Sequence, residues 1–409
     1  MRDWKTLLTT PGFRGFWLAL VSDGLGTWCV IATLPILVAE HFGAGSELVI
    51  SLGLRVLPRI LLAPAAGAML RRFGIKRVAV VTMAVTGVLT ALLPWCTNFA
   101  VLQADILAIG VMDVGVGPAL LSLRAPVTPR GLEVAGNTLF VSADRIAKFA
   151  GPAFAGIAVT AGFTVAYLGF GAVMLLAAGT IMRLPASQPT NDAGQTHGIG
   201  MLAVLRDFII MLRNDPVLVA LLLCAVPYMV TFGGMRPFLF WANTEWFGAS
   251  DAAWTLLLAA QGVGAIAGAL LSGLCSRALL RAMPLYELML VASLLEGLSH
   301  VALLFVTGPA GAVALLILGG IPEMLGYATW FACIQERLRP DRQAVFYSMQ
   351  QPLLDSAYAL GVASAGLHAA GTLSLGSYWA VLSLFSTLPV VALLALHLRS
   401  GRVVGQPRA

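Results

Sequence analysis

The chain has 409 residues, of which 59% are hydrophobic and only 11% are charged. A soluble protein cannot cover that proportion of apolar side chains with a polar surface, so the composition excludes a soluble globular protein. The net charge of +6 does not indicate nucleic-acid binding, because the basic residues are spread among predicted loops and form no patch.

Long apolar runs predict membrane-spanning helices along the whole chain. A helix needs about 20 apolar residues to cross a hydrocarbon layer of roughly 30 Å. The runs are apolar on every face, which favours helices over strands of alternating polarity. We predict twelve spans, near residues 16–39, 48–70, 78–95, 99–123, 134–160, 163–182, 217–240, 252–274, 285–306, 310–334, 344–370 and 375–397. The sequence therefore predicts an all-α membrane protein.

The basic residues predict the orientation of these spans. Every lysine and arginine outside the spans falls in the terminal segments or in alternate loops, while the opposite loops carry only acids such as Glu40, Glu47 and Glu245. By the positive-inside rule, both termini are cytoplasmic. We therefore expect a multi-pass protein of the bacterial inner membrane, in contact with membrane lipids.

One long connection divides the predicted spans into six and six. Residues 185–200 are polar, which predicts a linker. Met201 to Arg213 is amphipathic, which indicates a helix that lies at the membrane surface or, as the alternative, binds a regulator. The halves echo each other: Pro129 precedes Asp144 by the same distance as Pro340 precedes Asp355. We predict an N-terminal bundle over 1–182, a linker with an amphipathic helix over 183–216, and a C-terminal bundle over 217–409.

Motifs for enzymatic chemistry and for cofactors are missing from the sequence. The five cysteines are scattered singly, without a CxxC pair or a histidine at metal-binding spacing. The sequence contains no phosphate-binding loop and no nucleophile motif. We therefore predict no metal, no cofactor and no enzymatic activity.

Charged residues inside the predicted spans are the strongest local indication of function. A lone charge at mid-bilayer costs roughly 3 kcal/mol, so such groups must face partners or water. Structural ion pairs account for some of them as the alternative explanation. The five bases and seven acids are Arg55, Arg59, Arg145, Lys148, Arg236, Asp23, Asp105, Asp113, Asp144, Glu296, Glu323 and Asp355. Glu296 lies on an outer span, and we expect it to be buried against a neighbouring helix.

Four stretches resemble sequences of the major facilitator superfamily, and the resemblance covers essentially the whole chain. Residues 67–77 are similar to the family's loop motif between spans 2 and 3, although Arg71 replaces its aspartate, and residues 151–156 resemble the motif of its exporter branches. Residues 117–151 resemble the macrolide-efflux and enterobactin-exporter branch, as do residues 22–24 and 32–35 in span 1. The resemblance implies two pseudo-symmetric six-helix bundles, a monomer, and gating by Gly67, Arg71, Arg72, Gly74, Lys76, Gly151, Pro152 and Gly156.

The family fold also implies which charges face the transport route. Spans 1, 4, 7 and 10 would line a central cavity, which makes Asp23, Asp113 and Glu323 cavity residues, whereas Arg59, Asp144 and Asp355 would lie at the bundle interface. We expect Asp113 or Glu323 to carry a proton, with Asp23, Asp144 and Asp355 as further proton-coupling residues. The predicted substrate contacts are Arg55, Arg59, Trp28, Arg145, Lys148, Gln261, Trp330 and Tyr358.

The leading hypothesis is export of a small amphiphilic compound, a drug or a siderophore, by proton antiport and alternating access. A second hypothesis is import or facilitated uptake of an anionic metabolite, with Arg55, Arg59 and Arg145 as anion contacts. A third is a lipid flippase or a membrane protein that transports nothing. Outward transport from inverted vesicles separates the first hypothesis from the second.

Overall fold

The computed structural model describes residues 2–129, 132–184 and 201–400. These residues form fifteen α-helices and no strand. In chain order the helices are α1 (Arg2–Thr9), α2 (Pro11–His41), α3 (Ser46–Phe73), α4 (Ile75–Leu92), α5 (Phe99–Val127), α6 (Glu133–Thr160), α7 (Phe163–Met182), α8 (Met201–Asn214), α9 (Pro216–Trp241), α10 (Asp251–Ala282), α11 (Leu285–Ala302), α12 (Pro309–Arg337), α13 (Pro340–Ser364), α14 (Gly366–Ala369) and α15 (Leu375–Ser400).

The helices confirm the prediction of an all-α membrane protein. Each predicted span overlaps one long helix, although the span predicted over 344–370 also includes the short α14. Among the described residues nine helices are long and apolar enough to cross a membrane. The other three long helices, α3, α6 and α13, carry half of the twelve charges inside the predicted spans, including Arg55, Asp144 and Asp355. In these helices the charged residues interrupt the apolar sequence pattern.

The helix starts follow simple backbone rules. Pro11, Pro216, Pro309 and Pro340 each occupy the first turn of a helix, where a missing N–H costs nothing. Asp215 caps α9 by accepting from the Val217 N–H at 2.9 Å. The short helix α1 was not predicted; its Leu7 is fully buried and packs with Phe13.

The first compact unit comprises Met1–Ala193 with Ser250–Ala259. In this unit α2 packs closely against α6. A Cβ at Gly151 would lie 2.5 Å from the Cβ of Trp28, and a Cβ at Gly24 would lie 2.8 Å from the Cβ of Ala147. Trp17 adds a hydrogen bond from its indole to the Leu139 carbonyl at 2.9 Å. Since lipid gives apolar helices no hydrophobic reason to associate, such small residues allow the backbone contact that holds the pair together.

The second compact unit comprises Gly194–Ala249 with Ala260–Ala409. Helices α10 and α12 touch at a glycine pair, where a Cβ at Gly320 would lie 2.8 Å from the Gly264 Cα. The amphipathic helix α8 packs on α13 through the rings of Phe208 and Phe346, whose centroids are 5.4 Å apart. The predicted linker over 185–200 lies outside the described residues, and the predicted domain bounds at 182 and 216 stay predictions.

We predict that Gly151→Ala destabilises the first unit, because its Cβ must push apart α2 and α6. Overpacking of this kind costs about 1–3 kcal/mol. The midpoint of thermal unfolding in detergent should fall by several degrees. Gly169→Ala in α7 is the matched control, since a Cβ there meets nothing within 4 Å. An equal effect at both positions would contradict the inferred contact.

Candidate functional site

A buried ion pair joins α3 and α5 in the first unit. The Nε of Arg55 lies 3.7 Å from the Oδ2 of Asp113, and the two side chains are 11% and 21% exposed. Gly110, nearly one turn before Asp113, makes this possible, because a Cβ there would lie 2.6 Å from the Arg55 carbonyl oxygen. The Nη1 of Arg55 is buried and makes no hydrogen bond.

Asp23 and Arg59 belong to the same electrostatic neighbourhood. Asp23 on α2 interacts with Asp113, and both Arg55 and Arg59 act on Asp113. The Arg59 side chain is exposed, whereas Asp23 and Asp113 are half-buried. We call Asp23, Arg55 and Asp113 the Asp113 cluster. It combines three of the residues that the sequence predicted as proton-coupling or substrate contacts.

The charged run on α6 divides between buried and exposed positions. Lys148 is only 4% exposed, and its Nζ lies 6.0 Å from the centre of the Trp28 ring on α2. That distance is at the outer limit of a cation–π interaction, which suits a cation held in an apolar site. Arg145 is half-buried, and Asp144 is exposed. The structure therefore brings Trp28 and Lys148 together within the first unit.

A cavity with a volume of about 140 Å³ lies within the second unit. Helices α9, α11, α12, α13 and α15 surround it. Its polar lining consists chiefly of Glu296 and His300 from α11 and Glu323 from α12, and three aromatic side chains, Tyr228, Tyr327 and Trp330, supply much of its apolar wall. We call it the C-unit cavity.

His300 is the most unusual polar group in this cavity. Its side chain is 7% exposed, and its Nδ1 is buried without a hydrogen-bond partner. The ring packs edge-on against Trp379 at 5.9 Å and interacts electrostatically with Glu323. Buried polar atoms are rarely left unpaired, so this nitrogen calls for a functional explanation.

Gln261 and Trp330 are the predicted substrate contacts that lie at or beside the cavity. Trp330 lines it, with its indole donating to the Leu221 carbonyl at 3.3 Å. Gln261 lines a smaller neighbouring pocket together with His300 and Glu323, and its Nε2 donates to the Met235 sulfur at 3.4 Å. Glu323 is common to both spaces.

Two predicted site residues on α13 make other contacts. The Tyr358 hydroxyl accepts a hydrogen bond from Arg236 Nη1 at 2.7 Å, and the Arg236 guanidinium also lies 5.6 Å from the Tyr358 ring centre. Asp355 accepts from Gln351 Nε2 at 3.1 Å. Neither residue is among those that line the C-unit cavity.

The predicted gating loop is a tight turn between α3 and α4. Gly74 has φ +83°, a conformation that side chains with a Cβ rarely adopt, which explains glycine there. Lys76 donates to the carbonyl of Leu184 just beyond α7, and the Arg72 guanidinium stacks over Phe73 at 5.3 Å. Gly67 and Arg71 lie in α3, but their side-chain environment is outside the described residues.

The second predicted gating motif packs against two helices. Gly151 and Pro152 are buried, and the Gly151 carbonyl accepts from the Cys29 thiol at 3.1 Å. A Cβ at Gly156 would collide with the Thr255 hydroxyl in the first turns of α10. Next to it, the fully buried Trp254 donates from its indole to the Ala32 carbonyl at 2.7 Å, within the first unit.

Sequence reasoning missed His300 and underestimated Glu296. Glu296 is buried as expected, at 7% exposure, but it also lines the cavity. The signal was present: Glu296 and His300 are four residues apart and therefore share one face of α11. No group of three or more His, Cys, Asp or Glu side chains in the described ranges is arranged to hold a metal ion.

Comparison with known proteins gives a family match and shared folds. The family model described as Major Facilitator Superfamily matches residues 16–362. The nucleoside transporter NupG is 12% identical, with a TM-score of 0.68 and coverage of 96% of this chain and 99% of its own. A POT family transporter in complex with a thioalcohol-conjugated peptide is 13% identical, with a TM-score of 0.72 and coverages of 95% and 96%.

A bacterial homolog of the human lysosomal transporter Spinster, in an inward-facing and occupied conformation, is 13% identical, with a TM-score of 0.67 and coverages of 97% and 98%. At such low identity these likenesses concern the fold alone. No curated protein matches the chain by sequence.

We predict that Arg55 and Asp113 are energetically coupled. Arg55→Gln and Asp113→Asn should each lower stability, because each leaves a buried charge without its partner. The double variant should lose less than the two single variants together, by about 0.5–3 kcal/mol. Thermal unfolding of the four proteins measures the difference.

The pair Arg206 and Asp207 is the matched control, because its atoms are 3.9 Å apart but its side chains are 76% and 46% exposed. Exposed pairs contribute only about 0–1 kcal/mol. Additive losses at Arg55 and Asp113, as at the control pair, would show that the buried contact carries no energy.

Proposed function

We propose that this protein exports a small amphiphilic organic compound in exchange for protons, by alternating access. The proposal starts from the family: the chain belongs to the major facilitator superfamily and is a secondary transporter with many membrane spans. The observation that carries this proposal is the C-unit cavity, where Glu296 and Glu323 border a mostly apolar, aromatic wall. The polar group of an amphiphile can contact the carboxyl groups, and its apolar part can pack against the aromatic wall.

Proton exchange requires a carboxyl group that can be either charged or neutral. Asp113 already has a counter-ion, since Arg55 lies 3.7 Å away. Glu323 borders the cavity and is the better proton carrier in this proposal, because solute and proton would compete for the same carboxylate. Asp113 then serves to hold α3 and α5 together, with Asp23 beside it.

The outward direction is supported by the motif over residues 151–156. Gly151 and Gly156 are both in close contact with neighbouring helices, which suits a place where small movements are transmitted. The fold itself does not choose a direction or a solute, since proteins that share it include nucleoside and peptide transporters. We further propose an inner-membrane protein with cytoplasmic termini that works as a monomer.

Uptake of an anionic metabolite is the second candidate function. One observation favours it: the Nη1 of Arg55 is buried and makes no hydrogen bond, so it could donate to an anion. The Asp113 carboxylate beside it weakens that role, because it already balances the charge. Outward movement in the experiment below decides against uptake.

We expect Glu323→Gln to abolish transport driven by a pH gradient, because an amide cannot exchange a proton. A transported compound is identified first, by comparing the susceptibility of strains with and without the protein. The compounds tested are cationic, neutral and anionic amphiphiles, including a catecholate siderophore. Accumulation of that compound in inverted vesicles then measures the coupling. Exchange of labelled for unlabelled compound without a gradient should persist in Glu323→Gln.

Asp113→Asn and Glu245→Gln complete the comparison. Asp113→Asn should retain the coupling to the gradient at a reduced rate, and Glu245→Gln, at an exposed acid beyond the C-terminal end of α9, should behave as the wild type. Coupling that survives in both Glu323→Gln and Asp113→Asn would remove these acids from the mechanism. Accumulation of the compound in right-side-out vesicles but not in inverted vesicles would overturn export.

A further inference from the structure

We propose that the amphipathic helix α8 is a docking surface for anionic phospholipids of the cytoplasmic leaflet, with Arg206 and Arg213 at the phosphate groups and Leu205 and Ile209 among the acyl chains. The sequence alone left open whether α8 lies at the membrane or binds a regulator. The structure favours the membrane, because it fixes which side of α8 is exposed. Lipid binding at this surface is separate from the C-unit cavity and does not depend on the direction of transport.

Packing within the second unit fixes one side of α8. Phe208 and Met211 are buried in the core of the unit, and the Phe208 ring lies 5.4 Å from the ring of Phe346 on α13. Just beyond the end of α8, Asp215 caps α9, and its two carboxylate oxygens lie 3.0 and 2.9 Å from the Nη1 of Arg337. The middle and the end of α8 are therefore both held, so the helix keeps one rotation about its axis.

The exposed side of α8 has an ordered pattern. With 3.6 residues per turn, each residue is rotated by about 100° from the one before it. Leu205 and Ile209, which are 39% and 41% exposed, therefore form an apolar stripe beside the buried side. Arg206 and Arg213 are exposed and seven residues apart, so they form a basic stripe next to the apolar one. Asp207, the only acid on α8, points away from the apolar stripe.

This order matches a helix that lies in the membrane surface. The apolar stripe enters the acyl-chain region, and the neighbouring arginines extend to the level of the headgroups. The position of α8 along the chain supports the membrane over a soluble regulator. Helix α8 ends at Asn214 and the candidate membrane span α9 begins at Pro216, so α8 lies at the boundary of the apolar layer.

The charge of the exposed side selects an anionic lipid. Arg206 is 76% exposed, and its contact with Asp207 at 3.9 Å is an exposed pair that holds the guanidinium only weakly. Arg342, also exposed, adds a positive charge in the first turn of α13, one turn before Phe346. Guanidinium groups bind phosphate oxygens with two hydrogen bonds at once. In the proposed orientation this surface meets the cytoplasmic leaflet, which attracts basic segments through its anionic lipids.

Retention of two lipids by the full-length protein tests the proposal. Phosphatidylglycerol and phosphatidylcholine with identical acyl chains are added in equal amounts to the protein in detergent, and the bound lipids are counted by native mass spectrometry. The wild type should prefer phosphatidylglycerol, and salt should weaken this preference. Arg206→Gln and Arg213→Gln should each lower it about fivefold, the usual scale for one basic residue at an anionic surface. Arg206→Lys should retain most of it, because the charge remains.

Two further variants separate this surface from general charge. Arg281→Gln is the matched control, because Arg281 is exposed in the last turn of α10 and its loss removes the same charge away from α8; its lipid preference should equal that of the wild type. Ile209→Gln should lower the retention of both lipids without changing their ratio, since it removes an apolar contact and no charge. All of these side chains are exposed, so thermal unfolding in lipid-free detergent should be unchanged.

An unchanged preference for phosphatidylglycerol in the combined Arg206→Gln and Arg213→Gln variant would overturn the proposal and favour a soluble regulator. An equal loss in Arg281→Gln would overturn it too, since general charge would then explain the preference. Unchanged retention in Ile209→Gln would show that α8 does not enter the membrane. Failure of the export function looks different: selective lipid binding without movement of a solute in inverted vesicles would reject export and keep this surface.

Discussion

A charged side chain in the apolar interior must have a counter-charge, an aromatic ring or a wet space beside it, and this requirement organises the molecule. Arg55 meets it by pairing with Asp113 and Lys148 by lying near the ring of Trp28. Glu323 meets it at the border of a cavity. Because an unpartnered charge costs roughly 3 kcal/mol at mid-bilayer, these arrangements constrain the helices that carry them.

Small residues let the helices come close enough for those arrangements to form. The approach of α5 to α3 at Gly110 sets the distance between Asp113 and Arg55, and the approach of α6 to α2 at Gly151 brings Trp28 toward Lys148. In lipid the packing of backbones replaces the hydrophobic effect as the reason for association. Stability and the geometry of the polar sites therefore depend on the same contacts.

The two units use their charges differently. In the first unit Arg55 balances Asp113, so that pair is close to neutral and suits a structural or proton-linked role. In the second unit the acids line a cavity whose other walls are mainly apolar and aromatic, which suits a solute with both polar and apolar groups. Since the same fold occurs in nucleoside and peptide transporters at 12–13% identity, such side-chain differences, and not the fold, must decide the solute.

The sequence by itself determined the helical class, the approximate bounds of the long helices, the amphipathic α8 and the charged residues inside the spans, because apolar length and helix-start residues are local properties. It could not determine which charges meet. That Arg55 contacts Asp113, or that Glu296 and His300 share a cavity with Glu323, depends on the rotation and closeness of helices far apart in sequence. Only tertiary packing decides this, since a side chain on a helix can face any neighbour until small-residue contacts fix its direction.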